Sequence, residues 1–186
     1  HASTSALPTA LGAGLANGAS GIEALAAYLV GVEASARIGM AVNGNFHRAG
    51  HHPTGLVGAF GCTLAAGRLG DLSEAQIANA QGIALSMAGG SLEFLSDGAW
   101  TKRQHPGWAG VCGVTAAGMA KQGFVGPKEA YEGRYGLFKL HLAEHIGASA
   151  DYDLAACTKG LGEEWELFNV AFKPFPACHF NHAFAD

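Results

Sequence analysis

Two stripes of glycine at three-residue spacing, Gly55, Gly58 and Gly61, then Gly107, Gly110 and Gly113, constrain this chain more than any other feature. A helix-interior glycine costs up to about 1 kcal/mol relative to alanine, so a helix carrying three on one stripe needs something to offset the loss. A stripe without side chains lets a second backbone approach closely, and helices packed at short range are therefore expected. A phosphate-binding reading of the spacing lacks the strand, loop and helix order of a dinucleotide fingerprint. With 28 glycines and 49% hydrophobic residues in 186, the chain can bury the core of one domain or slightly more.

Helix signals fill the first two thirds. Ser20-Gly21-Ile22-Glu23 reads as a capping box, and the helix it opens stops at Asn43-Gly44. Its apolar positions Ile22, Leu25, Ala26, Leu29, Val32, Ala36 and Met40 are expected to form the packed face. Ser73-Glu74-Ala75-Gln76 opens a second helix running to about Ala88, before Gly89-Gly90. Between them a helix spans 54 to 69, ended by Gly70, and Pro106 is placed at the first position of another that ends near Lys121-Gln122-Gly123. Gly147-Ala148-Ser149-Ala150 reads as a surface connection. The short aromatic run 165–172 favours a strand, and Pro174 and Pro176 prevent its continuation past Lys173.

Charge narrows the partners. Charged residues make up 14%, against about 25% in an average domain, which an oligomer interface would explain. A net charge of −4 and pI near 6.1 leave no footprint for nucleic acid, and no basic block marks a membrane surface. Every apolar run is broken before the ~20 residues that cross a bilayer. Cys62, Cys112, Cys157 and Cys178 form no CxxC pair, so neither a zinc site nor a disulfide framework is expected, and a reducing cytoplasm is the expected setting. The chain opens His1-Ala2-Ser3-Thr4 with no basic or apolar leader and reads as cut from something longer.

Three polar constellations combine cationic or imidazole groups with Gly or Pro at an element boundary. The first, His47-Arg48-Ala49-Gly50-His51-His52-Pro53-Thr54-Gly55, is either a solvated loop or a helix N-terminus capped by Thr54. Adjacent His51 and His52 lack the i, i+4 spacing and the carboxylate of a metal pair. The second places Lys102, Arg103 and His105 ahead of the helix that Pro106 opens, where free N–H groups and the helix dipole favour a carboxylate. The third is Lys173-Pro174-Phe175-Pro176-Ala177-Cys178-His179-Phe180-Asn181-His182, in which adjacency of Cys178 and His179 does not make a thiolate pair. His141 and His145 with Glu144 lack the HExxH order and read as a solvent-facing helix.

As a set, His51-His52-Pro53-Thr54-Gly55, then Asp97-Gly98-Ala99-Trp100-Thr101-Lys102-Arg103-Gln104-His105-Pro106-Gly107-Trp108, then Lys173-Pro174-Phe175-Pro176, resemble the MmgE/PrpD family in order and spacing. The resemblance implies a mainly α fold: a helical core domain over 1–162 and the start of a smaller α+β lid over 163–186, working as a homodimer. It implies a small polycarboxylate substrate, chemistry beside a carboxylate without cofactor or metal, and activities such as 2-methylcitrate dehydratase, cis-aconitate decarboxylase or iminodisuccinate epimerase. Carried over by residue, His1 corresponds to the histidine of an HPxxxxLP segment, with Ala2 in place of its proline and Leu7-Pro8 at its end. His52 corresponds to the histidine before Pro-Thr-Gly, Lys102 to the lysine of DGxxxKxxHxG, and Lys173 to that of KxxP. The family's Asp-Asp-Thr-His motif belongs just before His1.

Removing a proton beside a carboxylate builds enediolate charge, which fixed cations stabilise. The resemblance therefore assigns His1, His52, Lys102 and Lys173 to catalysis, with Lys102 and Lys173 holding carboxylates and His52 or His1 exchanging the proton; His105 and His51 join Lys102 and Lys173 in substrate binding. Dehydration, decarboxylation and epimerisation could share this constellation. Two readings of other classes stay beside it: a helical fragment that kept the packing and lost the chemistry, and a helical module that binds a carboxylate without turnover.

Overall fold

A computed structural model describes residues 1–142 and 151–185. In chain order its helices are α1 (Ser3–Ala16), α2 (Gly21–Met40), α3 (Asn45–Arg48), α4 (Pro53–Leu69), α5 (Glu74–Leu85), α6 (Phe94–Asp97), α7 (Thr101–Lys121) and α8 (Leu137–Leu142). Among the described residues, 3-10 turns follow at Leu154–Cys157, Glu166–Asn169 and His179–Phe184. The fold is mainly helical, as expected. Both capping boxes form: Ser20 N–H donates to Glu23 Oε2 at 2.7 Å and Ser73 N–H to Gln76 Oε1 at 2.9 Å. Gly147 to Ala150, Glu144 and His145 lie outside the described residues.

Helix α4 is buried on nearly every side, as a helix apolar all round must be, with α1, α2, α5 and α7 packed about it. Its glycines decide how close they come. A Cβ on Gly61 would collide with Ser35 Oγ and the Gly31 carbonyl of α2; one on Gly113 of α7 would lie 2.5 Å from the Cys62 carbonyl carbon. The second stripe is only partly used, since Gly107 faces open space. Between α4, α5 and α7 the core is correspondingly small-grained: Ala59, Cys62, Ala80, Ala84, Ala109, Cys112 and Ala116. Larger rings gather at the other end, where Phe138 stacks on Tyr152 at 5.0 Å and Phe60 meets Tyr131 at 5.2 Å.

Four expectations change. The packed face of α2 is Ala27, Gly31, Val32, Glu33, Ser35, Arg37 and Ile38, leaving Ile22, Leu25 and Met40 exposed, because the approach of α4 selects small residues rather than large ones. Helix α2 ends at Met40 and α5 at Leu85, a few residues before the glycine signals. Helix α7 begins at Thr101, so Pro106 lies in its second turn rather than at its first position. The ring removes the N–H that would have met the Lys102 carbonyl, and the burial of Ala109, Cys112, Gly113, Ala116 and Ala117 offsets the loss. Finally, residues 165–172 form no strand; Glu166–Asn169 is a 3-10 turn. A strand needs a neighbour to share its hydrogen bonds, and among the described residues none is offered to this segment, whose Phe168 and Phe172 are exposed.

Candidate active site

His52 is the N-cap of α4, with Pro53 at the first helical position, so Thr54 is not the cap. Its main chain is fixed by an extended pairing: His52 N–H donates to the Gly90 carbonyl and Leu92 N–H to the Gly50 carbonyl, both at 2.9 Å, around an antiparallel bridge between His51 and Ser91. Successive residues of an extended segment point to opposite sides, so the two adjacent histidines part company. The His51 ring meets His141 edge-on at 4.8 Å, while His52 turns toward His105. The structure thus places His51, expected to bind substrate, against His141. His141 is half-buried instead of solvent-facing; its Nδ1 lies 2.9 Å from the Leu137 carbonyl.

The two Nδ1 atoms of His52 and His105 are 2.8 Å apart. A contact that short between ring nitrogens holds one proton: one ring donates and the other accepts. When His52 donates, its Nε2 is bare and can take a proton without disturbing the bond. His52 is 6% exposed, and burial, followed by the neighbouring His105, His47 and Lys102, lowers its pKa to about 4. Burial lowers His105 as well. Near neutral pH both rings are uncharged.

Phe94, from α6, joins these groups. Its ring lies 5.3 Å from His52 and 5.8 Å from His105, and Lys102 Nζ stands 5.6 Å above it. Lys102 and Arg103 sit on the first turn of α7, so the cations lie at the helix N-terminus itself and not ahead of it. Arg103 stacks over Trp100 at 5.1 Å. A groove of about 300 Å³ opens here, lined by Phe94, Leu95, Gly98, Ala99, Trp100, Lys102 and Arg103.

His1 and Lys173 lie close enough to interact electrostatically. The α-amino group of His1 has a lowered pKa through burial and then through the charge of Lys173, and it in turn acts on His52. Lys173 is exposed, and its Nζ donates to the Ala177 carbonyl at 3.0 Å. His1, His52, Lys102, His105 and Lys173 thus share one electrostatic neighbourhood, rich in cations and neutral imidazoles. Cys178 is exposed, and its neighbour His179 lies against His182 at 5.0 Å. Among the described residues no group of three His, Cys, Asp or Glu is placed to hold a metal ion.

Sequence reasoning missed Phe94, whose role exists only through rings brought to it from two other helices. It also missed Glu33 and Arg37; their i, i+4 spacing on an otherwise apolar helix was the available signal.

The family model for the MmgE/PrpD N-terminal domain matches residues 1–147. This chain belongs to the MmgE/PrpD family. Its relatives include the cis-aconitate decarboxylase of Aspergillus terreus, 31% identical over 88% of this chain and 33% of that protein. The human cis-aconitate decarboxylase is 32% identical over 90% of this chain and 33% of its own length. The cis-aconitate decarboxylase-like protein oryM of Aspergillus oryzae is 31% identical over 83% and 32%. The chain spans about a third of the length of these MmgE/PrpD relatives. Among the described residues no helix is long and apolar enough to cross a membrane.

Proposed function

We propose that this chain contributes the helical side of an active site in which a small di- or tricarboxylic acid undergoes a cofactor-independent lyase reaction, with cis-aconitate the first substrate to test. The observation that carries the reading is Lys102, held over Phe94 beside the His52–His105 pair: a fixed cation next to a neutral base. Lys102 and Lys173 hold carboxylates. Developing enediolate charge is then met by cations already in place, which need not reorganise as the reaction proceeds.

His52, uncharged at neutral pH, suits the acceptor's part, since a bare Nε2 can take a proton from the carbon beside a carboxylate while Nδ1 still donates to His105. In a dehydration the electron pair left on carbon forms the double bond as hydroxide departs. In a decarboxylation the bond to the departing carboxylate breaks, carbon dioxide leaves, and the pair retained on carbon takes a proton from an imidazole acid, the part given to His1 or His52. An epimerisation would return the proton to the opposite face. The same reading takes residues 163–186 as the start of a lid and a homodimer as the working unit, with the names of the relatives favouring decarboxylation.

The test follows product formation from cis-aconitate and 2-methylcitrate by NMR. Lys102→Ala is expected to lower turnover at least about 100-fold, the size found when a donor to a developing oxyanion is removed. Full turnover by Lys102→Ala would overturn the assignment.

A further inference from the structure

A buried ion pair on α2 fastens the stretch that leads to Lys173. Glu33 and Arg37, both 4% exposed, lie one turn apart on α2, and Arg37 Nε donates to Glu33 Oε1 at 2.6 Å. Their remaining bonds all leave the helix. Arg37 Nη1 donates to the Lys159 carbonyl at 2.6 Å and Nη2 to the Glu164 carbonyl at 2.7 Å. Glu33 accepts the main-chain N–H groups of Glu166 at 3.2 Å and Leu167 at 3.3 Å. Desolvation largely offsets the attraction of a buried pair, so apolar residues would hold α2 in place as well. What apolar residues could not do is fix a loop by its backbone, which the planar guanidinium fork does at two carbonyls together.

We propose that Glu33 and Arg37 are positioning residues for Lys173, setting where the chain leaves the helical body and so keeping that cation near His1, His52 and Lys102. The proposal rests on the reading that Lys173 holds a substrate carboxylate. Leu167 is six residues before Lys173, a tether of at most about 20 Å. Without the pair, the next anchor upstream is Cys157, which packs with Ala156 against the hydrophobic core, sixteen residues before Lys173. Effective concentration falls roughly as the −3/2 power of tether length, so lengthening the tether from six residues to sixteen dilutes Lys173 at the site about fourfold.

The decisive variant is Arg37→Lys in the 186-residue chain, which keeps a cation beside Glu33 but cannot fork to two carbonyls. Amide exchange at Glu166 and Leu167 is expected to accelerate while α4 and α7 exchange as before. Calorimetric titration with cis-aconitate is expected to show about fourfold weaker binding, with no further loss when Arg37→Lys is added to Lys173→Ala. Unchanged exchange at Glu166 and Leu167, or the full loss of about fourfold on the Lys173→Ala background, would overturn the positioning role. Should Arg37→Lys unfold the whole chain, Glu33→Gln takes its place with the same expectations. Full affinity in Lys173→Ala, or no binding of cis-aconitate by the unaltered chain, would instead overturn the reading of Lys173 on which the proposal stands.

Discussion

The two sides of the proposed site are held by different forces. His52 and Lys102 ride on α4 and α7, whose backbones touch through absent side chains; Lys173 rides on a segment held to α2 by main-chain hydrogen bonds to two buried side chains. Close packing resists any small displacement, since every atom has a neighbour. A hydrogen-bonded anchor is directional and local, and can release without disturbing the core. The comparison teaches that one site can combine a fixed wall with a separately fastened one.

The sharpest way to break this comparison is to force the packed side apart. Gly113→Val puts branched carbon against the Cys62 main chain, which cannot turn away as a side chain could. A loss of about 4 kcal/mol or more is expected in urea unfolding followed by circular dichroism. A loss under about 1 kcal/mol would mean that α4 and α7 are not locked.

Acid attacks the same side more gently. The folded pKa of His52 is lowered from 6.5 to about 4, so between those values the unfolded chain binds more protons than the folded one. Stability from this group is complete above about pH 6.5 and is lost as pH falls toward 4, on the order of 2 kcal/mol by about pH 4.5. Nitrogen-detected NMR titration of His52 checks the sign: the ring should remain neutral at about pH 5.5, where a free histidine is mostly charged.

The smallest effect has the opposite direction. Gly118 lies inside α7 but faces open space. Gly118→Ala is expected to stabilise the chain by up to about 1 kcal/mol in the same urea assay, separating a glycine that packs from one that does not.

How far the sequence was legible follows from the range of each constraint. The glycine stripes and capping boxes act within a turn or two of helix, and they could be read directly. The face of α2 was misread because large apolar residues were counted as core, whereas α4 comes too close for them. Pro106 was misread because a rule about helix starts ignores what later packing can offset. The strand over 165–172 was inferred from composition, but pairing is a property of two segments. At the candidate site, His52, Lys102 and Lys173 were singled out by the resemblance to the MmgE/PrpD motifs. The separation of His51 from His52 depends on a pairing with Ser91 forty residues away, and the part played by Glu33 and Arg37 depends on main-chain groups more than a hundred residues distant.

The cation of Lys102 rests on the face of Phe94 and, among the described residues, enters no ion pair. Its charge is therefore not cancelled, although the chain as a whole carries a formal net charge of −4. The polycarboxylate proposed above would meet a repulsive far field from this chain and feel the attraction of Lys102 only within about a Debye length, roughly 8 Å at physiological ionic strength. Rates of capture and release then respond to salt by different routes. Added salt weakens the distant repulsion that slows arrival and also loosens the close attraction that holds the ligand, so encounter and residence need not change together.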